Sequence, residues 1–175
     1  MQQNEELYYL VAGFLSDWCD IELFCDEFYK MYDLESLYCA TNKAEEQALK
    51  ELDMMVGRFS EFDEDFKKAP NVFFKEGEIR QKAEEIFRLF SNIKISKEEF
   101  FRFLKEQRGL NFPIGVDLGE GYVMCPNCSN AMKVDERQSV ITCDNKYCIA
   151  KLINPLAKLT LAEIESVKYN SQEAN

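Results

Sequence analysis

A chain of 175 residues and 20.5 kDa with 46% hydrophobic composition is long enough for one ordinary domain or two small ones, and too apolar for a disordered acidic tail. Its 32 acidic against 21 basic side chains give a net charge of -11, which opposes broad affinity for a phosphate backbone but leaves room for a local basic face. There is no histidine, so Ser-His-Asp triads, Cys-His pairs and HExxH zinc sites are excluded, and acid–base work would fall to Asp, Glu, Lys or Tyr.

In chain order, residues 5–16 read as a short apolar helix carrying Leu7, Leu10, Val11, Phe14 and Leu15. Asp17 or Asp20 is placed to cap a second helix over 21–32, whose apolar side holds Ile21, Phe24, Phe28 and Met31 or Tyr32 at spacings of three and four. Residues 34–39 are open between a helical turn and a loop. Thr41 is the expected N-cap of a third helix that runs to Phe59 or Phe62, with Leu49, Leu52, Met55, Val56 and Phe59 as its stripe. It ends in the acidic cluster Glu61, Asp63, Glu64 and Asp65, and Pro70-Asn71 is a break.

A fourth helix is expected over 78–90, with Ile79, Ala83, Ile86, Phe87 and Phe90 on one face. Ser96 and Glu99 form a capping box that opens a fifth helix over 97–107, closed by Gly109. Residues 111–121 hold three glycines and Pro113 and are the expected linker. Beyond Tyr122 the pattern changes to short strands around cysteine pairs, with a last helix near 159–169. The expected fold is therefore mainly α: an acidic bundle of four to five helices over 1–110, a linker over 111–121, and a small four-cysteine zinc-ribbon β-hairpin module with a C-terminal helix over 122–175.

The seven cysteines fall into two groups. Cys19, Cys25 and Cys39 are scattered through helical patterns, whereas Cys125, Cys128, Cys143 and Cys148 form two close pairs. Pairs separated by a hairpin-length insert suit a four-thiolate zinc site in which each pair sits on a tight knuckle, with Val134 and Val140-Ile141-Thr142 supplying strand character between them. The second knuckle has four intervening residues in place of the commoner two. Residues 123–149 resemble the zinc ribbons of RNA polymerase subunits, transcription factors and bacterial type I topoisomerases. That resemblance implies a structural Zn2+ and, in many members, contact with nucleic acid. Lys133, Arg137, Lys146 and Lys151 are offset here by Asp135, Glu136 and Asp144, so a structural clip and a nucleic-acid contact both stand open. A redox role for the cysteine pairs is a third reading.

The acidity is concentrated at one end. Residues 1–66 carry 17 acidic and 4 basic side chains, whereas 67–124 carry 9 and 11, and 125–175 carry 6 and 6. Such segregation points to a basic protein partner for the first third. The order Phe14-Leu15-Ser16, Ile21-Glu22 and Phe24-Cys25-Asp26-Glu27-Phe28-Tyr29-Lys30 resembles the opening of colicin D-type immunity proteins. Leu52-Asp53-Met54-Met55-Val56-Gly57-Arg58-Phe59, Phe62-Asp63-Glu64-Asp65, Gly77-Glu78-Ile79-Arg80-Gln81-Lys82-Ala83 and Ile86-Phe87 continue the likeness over about 7–90.

That resemblance implies a four-helix bundle that blocks the basic cleft of a nuclease toxin. The matching carboxylates are Asp17, Asp20, Glu22, Asp26 and Glu27, with Glu61, Asp63, Glu64 and Asp65 as a second set. The alternative is a zinc-ribbon adaptor associated with transcription or nucleic acid. It would use the ribbon or the basic stretch of Lys94, Lys97, Arg102, Lys105 and Arg108, a stretch that equally suits the acidic bundle of the same molecule. Neither reading is an enzyme. The acidic start does not read as a signal peptide, the odd cysteine count suits a reducing compartment, and no apolar run approaches membrane-spanning length, so a cytoplasmic location without membrane contact is expected.

Overall fold

The computed structural model describes residues 3–34, 42–89 and 94–172. Among these, six helices precede the strands: α1 (Gln3–Leu15), α2 (Ile21–Tyr29), α3 (Lys43–Val56), α4 (Asp63–Lys68), α5 (Glu76–Leu89) and α6 (Lys97–Gln107). Five strands follow, β1 (Val116–Gly119), β2 (Tyr122–Met124), β3 (Ala131–Lys133), β4 (Val140–Thr142) and β5 (Lys151–Ile153), and then α7 (Leu161–Gln172). A mainly helical bundle followed by a small β-hairpin and cysteine module is the expected architecture. No helix among the described residues is long and apolar enough to cross a membrane.

The chain divides into two compact units. One comprises Met1–Ser16 with Ile21–Ile95, the other Asp17–Asp20 with Ser96–Asn175. In the first unit α1 packs on α2 and α5, and α3 packs on the same two helices. The apolar stripes read from sequence meet in the middle: Leu10, Phe14, Phe24, Phe28, Leu49, Leu52, Ile79 and Ile86 are fully buried. Phe14 and Phe24 stack with ring centroids 4.2 Å apart, and the Arg80 guanidinium lies 4.5 Å from the Phe14 ring centroid.

Several boundaries move for identifiable reasons. The cap of α3 is Asn42, whose side chain accepts from the Glu45 N–H at 2.9 Å; the expected cap, Thr41, lies outside the described residues, as do Cys39 and Phe90. The helix stops at Val56 because Phe59 is drawn into an extended bridge with Phe74, closed by Phe74 N–H donating to Arg58 O (2.9 Å) and Ser60 N–H to Phe74 O (3.1 Å). The acidic cluster is not the tail of α3 but the start of the short helix α4, with Asp63, Glu64 and Asp65 in its first turn and Lys67 and Lys68 in its last. That charge order suits the helix dipole, and α4 buries no residue, so hydrophobic periodicity carried no trace of it. α2 runs into a π-helical turn at Lys30–Leu34.

In the second unit, β1, β2 and β3 form an antiparallel sheet in that order, and β4 and β5 form a separate hairpin. The capping box of α6 is present as expected, with Ser96 and Glu99 satisfying each other's backbone N–H groups. Residues 17–20 join this unit as a short strap. Leu159 N–H donates to Trp18 O (2.8 Å), Asp20 N–H donates to Leu159 O (2.9 Å), and the Trp18 ring lies 5.8 Å from Phe100.

The stretch 111–121, expected as a linker, instead carries β1, and the boundary between the units falls at Ile95 and Ser96. Ile153 N–H donates to Pro113 O and Gly115 N–H to Ile153 O, both at 2.9 Å, which pins the approach to β1. The glycine at 115 is there for space and not for a hinge. A Cβ at this position would collide with Cγ1 of the fully buried Val123 and press on Pro155 at 3.3 Å. Gly115→Ala should therefore destabilise the second unit by about 1–3 kcal/mol through overpacking. Chemical denaturation should show the loss in the β-module, with the helical signal of the bundle retained.

Candidate metal centre

The centre is built from two knuckles, each at the tip of its own hairpin. β2 and β3 flank Cys125 and Cys128, and β4 and β5 flank Cys143 and Cys148. This corrects the expectation of one hairpin lying between the pairs: β3 and β4 belong to different sheets, and Val134 lies beyond the end of β3. The knuckles close alike despite their unequal spacing. Cys125 N–H donates to Asn130 O (2.9 Å) and Cys143 N–H to Ala150 O (2.8 Å), so each hairpin shuts two residues past its second cysteine. Ser129 and Ile149, directly after those cysteines, both take left-handed backbone (φ 61° and 45°). In the second knuckle the turn opens two residues later, at Asn145, where Ile149 N–H donates to Asn145 O (3.1 Å) as Ser129 N–H donates to Cys125 O (2.8 Å) in the first.

All four sulfurs lie within 4.8 Å of one another. Cys125 and Cys148 are 3.8 Å apart and Cys128 and Cys143 3.6 Å apart, with all four thiols free. A zinc ion with Zn–S bonds near 2.3 Å needs sulfurs about 3.8 Å apart, whereas a disulfide needs about 2.0 Å. The donor set and its spacing thus fit Zn2+ well. Cys125 and Cys143 are buried with Val123, Met132, Ile141 and Leu152, while Cys128 and Cys148 are half-buried. The side chain of Asn130 donates to the Asp144 carboxylate, tying one knuckle to the other beside the sulfurs.

The four thiols are held unequally. The Asn130 backbone N–H holds the Cys128 thiol down at about 7, whereas burial pushes Cys143 up to about 12. Four protein thiolates around zinc leave no position for water or substrate, so the chemistry of such a centre is structural.

Comparison of the chain with family models, with curated proteins and with solved structures finds no match. The likeness to colicin D-type immunity proteins and to polymerase-type ribbons accordingly assigns no family. What stands is a four-cysteine cluster able to hold a metal.

The nine acidic residues expected as a partner face are dispersed. Asp17 and Asp20 belong to the second unit: Lys158 Nζ lies 3.4 Å from Asp17, and the Asp20 carboxylate accepts from the Leu161 N–H at the start of α7. Glu27 is only 3% exposed, 3.6 Å from Lys30, so it cannot present itself to a partner; half-buried Asp26 pairs with the same lysine at 2.6 Å. Asp65 accepts from Ser60 Oγ (2.6 Å). Glu22, Glu61, Asp63 and Glu64 are exposed, the last two near Lys75 (3.2 Å) and Lys68 (3.8 Å).

The basic stretch is dispersed too. Lys97 Nζ donates to Leu156 O (3.3 Å), Arg102 pairs with Glu98 (3.0 Å), and Arg108, buried, pairs with Glu165.

Sequence reasoning missed the polar clasp behind the second hairpin. Buried Asn154 donates to Asp135 O (3.0 Å) and Gln138 O (2.8 Å), and buried Ser139 donates to Lys158 O (2.8 Å). A lone Asn and a lone Ser in short polar stretches give no periodic signal.

Protein purified without added metal should contain about one zinc per chain by elemental analysis. Cys128→Ser should abolish it and unfold the β-module, whereas Cys19→Ala with Cys25→Ala should leave the zinc content unchanged. Protons compete for the sulfurs, so zinc should be retained at neutral pH and released as pH falls, with loss of the module's fold tracking its release.

Proposed function

We propose that this chain is a non-catalytic binding protein, in which a structural zinc holds a small β-module and the acidic helical unit engages a cationic surface of another protein. What carries this reading is the uneven disposition of charge. Glu22, Glu61, Asp63 and Glu64 are exposed in the helical unit, whereas in the second unit Lys97 and buried Arg108 are drawn into internal contacts and exposed Arg102 pairs with Glu98. A set of exposed carboxylates steers a basic partner and repels phosphate. In its specific form, suggested by the sequence resemblance, the protein is an immunity-type inhibitor whose carboxylates stand in for phosphates in the basic cleft of a nuclease toxin.

The test is association with a candidate basic nuclease domain, followed by stopped-flow at two ionic strengths. The rate should fall by about tenfold or more between 0.01 M and 0.15 M salt, as the Debye length shrinks from about 30 Å to about 8 Å. The triple reversal Glu61→Lys, Asp63→Lys, Glu64→Lys should slow association in the same direction as salt, with the helical spectrum unchanged. Lys97→Glu with Lys105→Glu should leave it intact. A rate indifferent to salt and to the triple reversal would remove this reading.

One observation favours the adaptor reading. Tyr147, at the tip of the second knuckle, is 86% exposed with Lys146 Nζ 4.8 Å from its ring centroid, an arrangement on which an unpaired base can stack. Under that reading a single-stranded oligonucleotide binds the zinc-loaded protein and quenches tyrosine fluorescence, and Tyr147→Ser abolishes the effect while zinc is retained.

A further inference from the structure

The three-stranded sheet of the second unit has an unusual outer face. Its inner face is ordinary: Val123 of β2 and Met132 of β3 are paired in register and lie in the buried core. Strand alternation then turns Tyr122 and Met124, with their partners Lys133 and Ala131, to the opposite side. Val116 of β1 pairs with Met124 on that side, and a bulge between Asp117 and Gly119 leaves Leu118 as the extra residue. An antiparallel sheet with one face on a core normally carries polar residues on the other. Here Val116, Leu118 and Tyr122 are 43%, 51% and 42% exposed, and Lys133 is the one charged side chain among the positions paired on that side.

β1 is also the outermost strand of its sheet, and both its ends border hollows within the same unit. A cleft of about 370 Å³ at the start of β1 has Phe101, Ile114 and Pro155 as apolar walls. A broader hollow beside the β1–β2 turn is lined by the carboxylates Asp117, Glu120, Asp135 and Glu136 and by the cations Lys133 and Arg137. Of the cations on this rim, Lys97 donates to Leu156 O (3.3 Å), exposed Arg137 pairs with Asp135 at 2.8 Å and so takes up that carboxylate, and Lys133 is exposed. Around the two hollows five carboxylates, Glu98, Asp117, Glu120, Asp135 and Glu136, stand against three cations, Lys97, Lys133 and Arg137, so the ground beside the apolar strip is negative on balance.

We infer that the outer face of β1–β2–β3 is a docking surface for an extended segment of a partner protein in which apolar residues alternate with Lys or Arg. Its apolar side chains lie on Val116, Leu118 and Tyr122, and its cations reach Asp117, Glu120 and Glu136. An extended segment matches the strip because alternate side chains of a strand fall on one side, and a strand laid along an edge gains main-chain hydrogen bonds. A second copy of this chain is a poor occupant. Each copy carries a net charge of -11, and a strip of a few side chains falls far short of the about 800 Å² per partner that a stable dimer buries. The inference rests on the reading of the chain as a binding protein and adds to it a second surface with its own partner chemistry.

The experiment uses the full zinc-loaded chain, isotope-labelled for amide NMR, and synthetic peptides of about ten residues with blocked ends. The probe alternates Val and Lys. One control has the same composition with the lysines grouped at one end, and the other alternates Val and Glu. The alternating basic peptide should shift amides in residues 116–124 and 131–133 and slow hydrogen exchange in β1. Leu118→Glu and Val116→Lys, each checked for full zinc content, should weaken it by about tenfold or more, whereas Tyr147→Ser should not.

Equal binding of the grouped control, or shifts confined to residues 61–65, would mean that charge alone drives the contact and would overturn the inference. So would peptide-independent dimerisation mapped to β1, which would install a second copy as the occupant. If the probe fails at β1 while the salt-dependent association of the helical unit with its basic partner persists, the docking surface is removed and the broader reading stands. If that association fails while the probe still binds β1, the reverse holds.

Discussion

The two hairpins of the second unit depend on bringing four sulfurs to one point. They are separate sheets, joined across the sulfurs by a small apolar cluster of Val123, Met132, Ile141 and Leu152 and by the contact of Asn130 with Asp144. Strands of three or four residues bury too little surface to hold such an arrangement alone, and hairpins of this size are marginal in water. A metal bonded to both knuckles replaces the missing core with coordination energy and at the same time fixes the register of each hairpin. The buried Asn154 and Ser139 then tie the turn between the hairpins down from behind.

The helical unit is held by different means. Its stability comes from four apolar helix faces closing on one another, and its polar groups are arranged around that closure. Two carboxylates are nonetheless taken inside, Glu27 and Glu45, at 3% and 1% exposure. Glu45 receives the Tyr8 hydroxyl and stands in the first turn of α3, where the helix dipole favours an anion. Burial, followed by this hydrogen bond, drives the Tyr8 hydroxyl far above its usual range, so it acts as a donor at all ordinary pH.

The parts legible in sequence were those written as a period or a spacing. The stripes of α1, α2, α3 and α5, the Ser96–Glu99 box and the cysteine pairs each state their physical purpose in residue order. What was illegible belongs to side chains whose role is set by distant neighbours. Glycines 115, 119 and 121 read as a flexible linker, but the first is a steric requirement of Val123 and the other two serve left-handed turn positions (φ 84° and 81°). The short α4 has no apolar face to announce it. The acidic residues read as one face because charge is counted along the chain, whereas burial and pairing are decided in space. Glu27 and Asp20 look alike in a list of carboxylates, yet one is sealed beside a lysine and the other holds the start of α7.

The strap at residues 17–20 has a consequence for how the molecule is made. Asp20 meets Leu161 across 141 positions of chain, and most of the helical unit lies between them. That contact closes one of the longest loops the sequence allows, and long-range closures of this kind slow folding because their entropy is lost before the contact repays it. On the ribosome the strap emerges early and has nothing to pair with until the last helix is synthesised. The helical unit can condense in that interval, but the second unit cannot be completed piecemeal from either end. A chain truncated before Leu159 would leave the strap unmatched, with Trp18 and Cys19 deprived of the surface that covers them. Strap closure therefore waits on the synthesis of Leu159 and Leu161, long after residues 17–20 have been made.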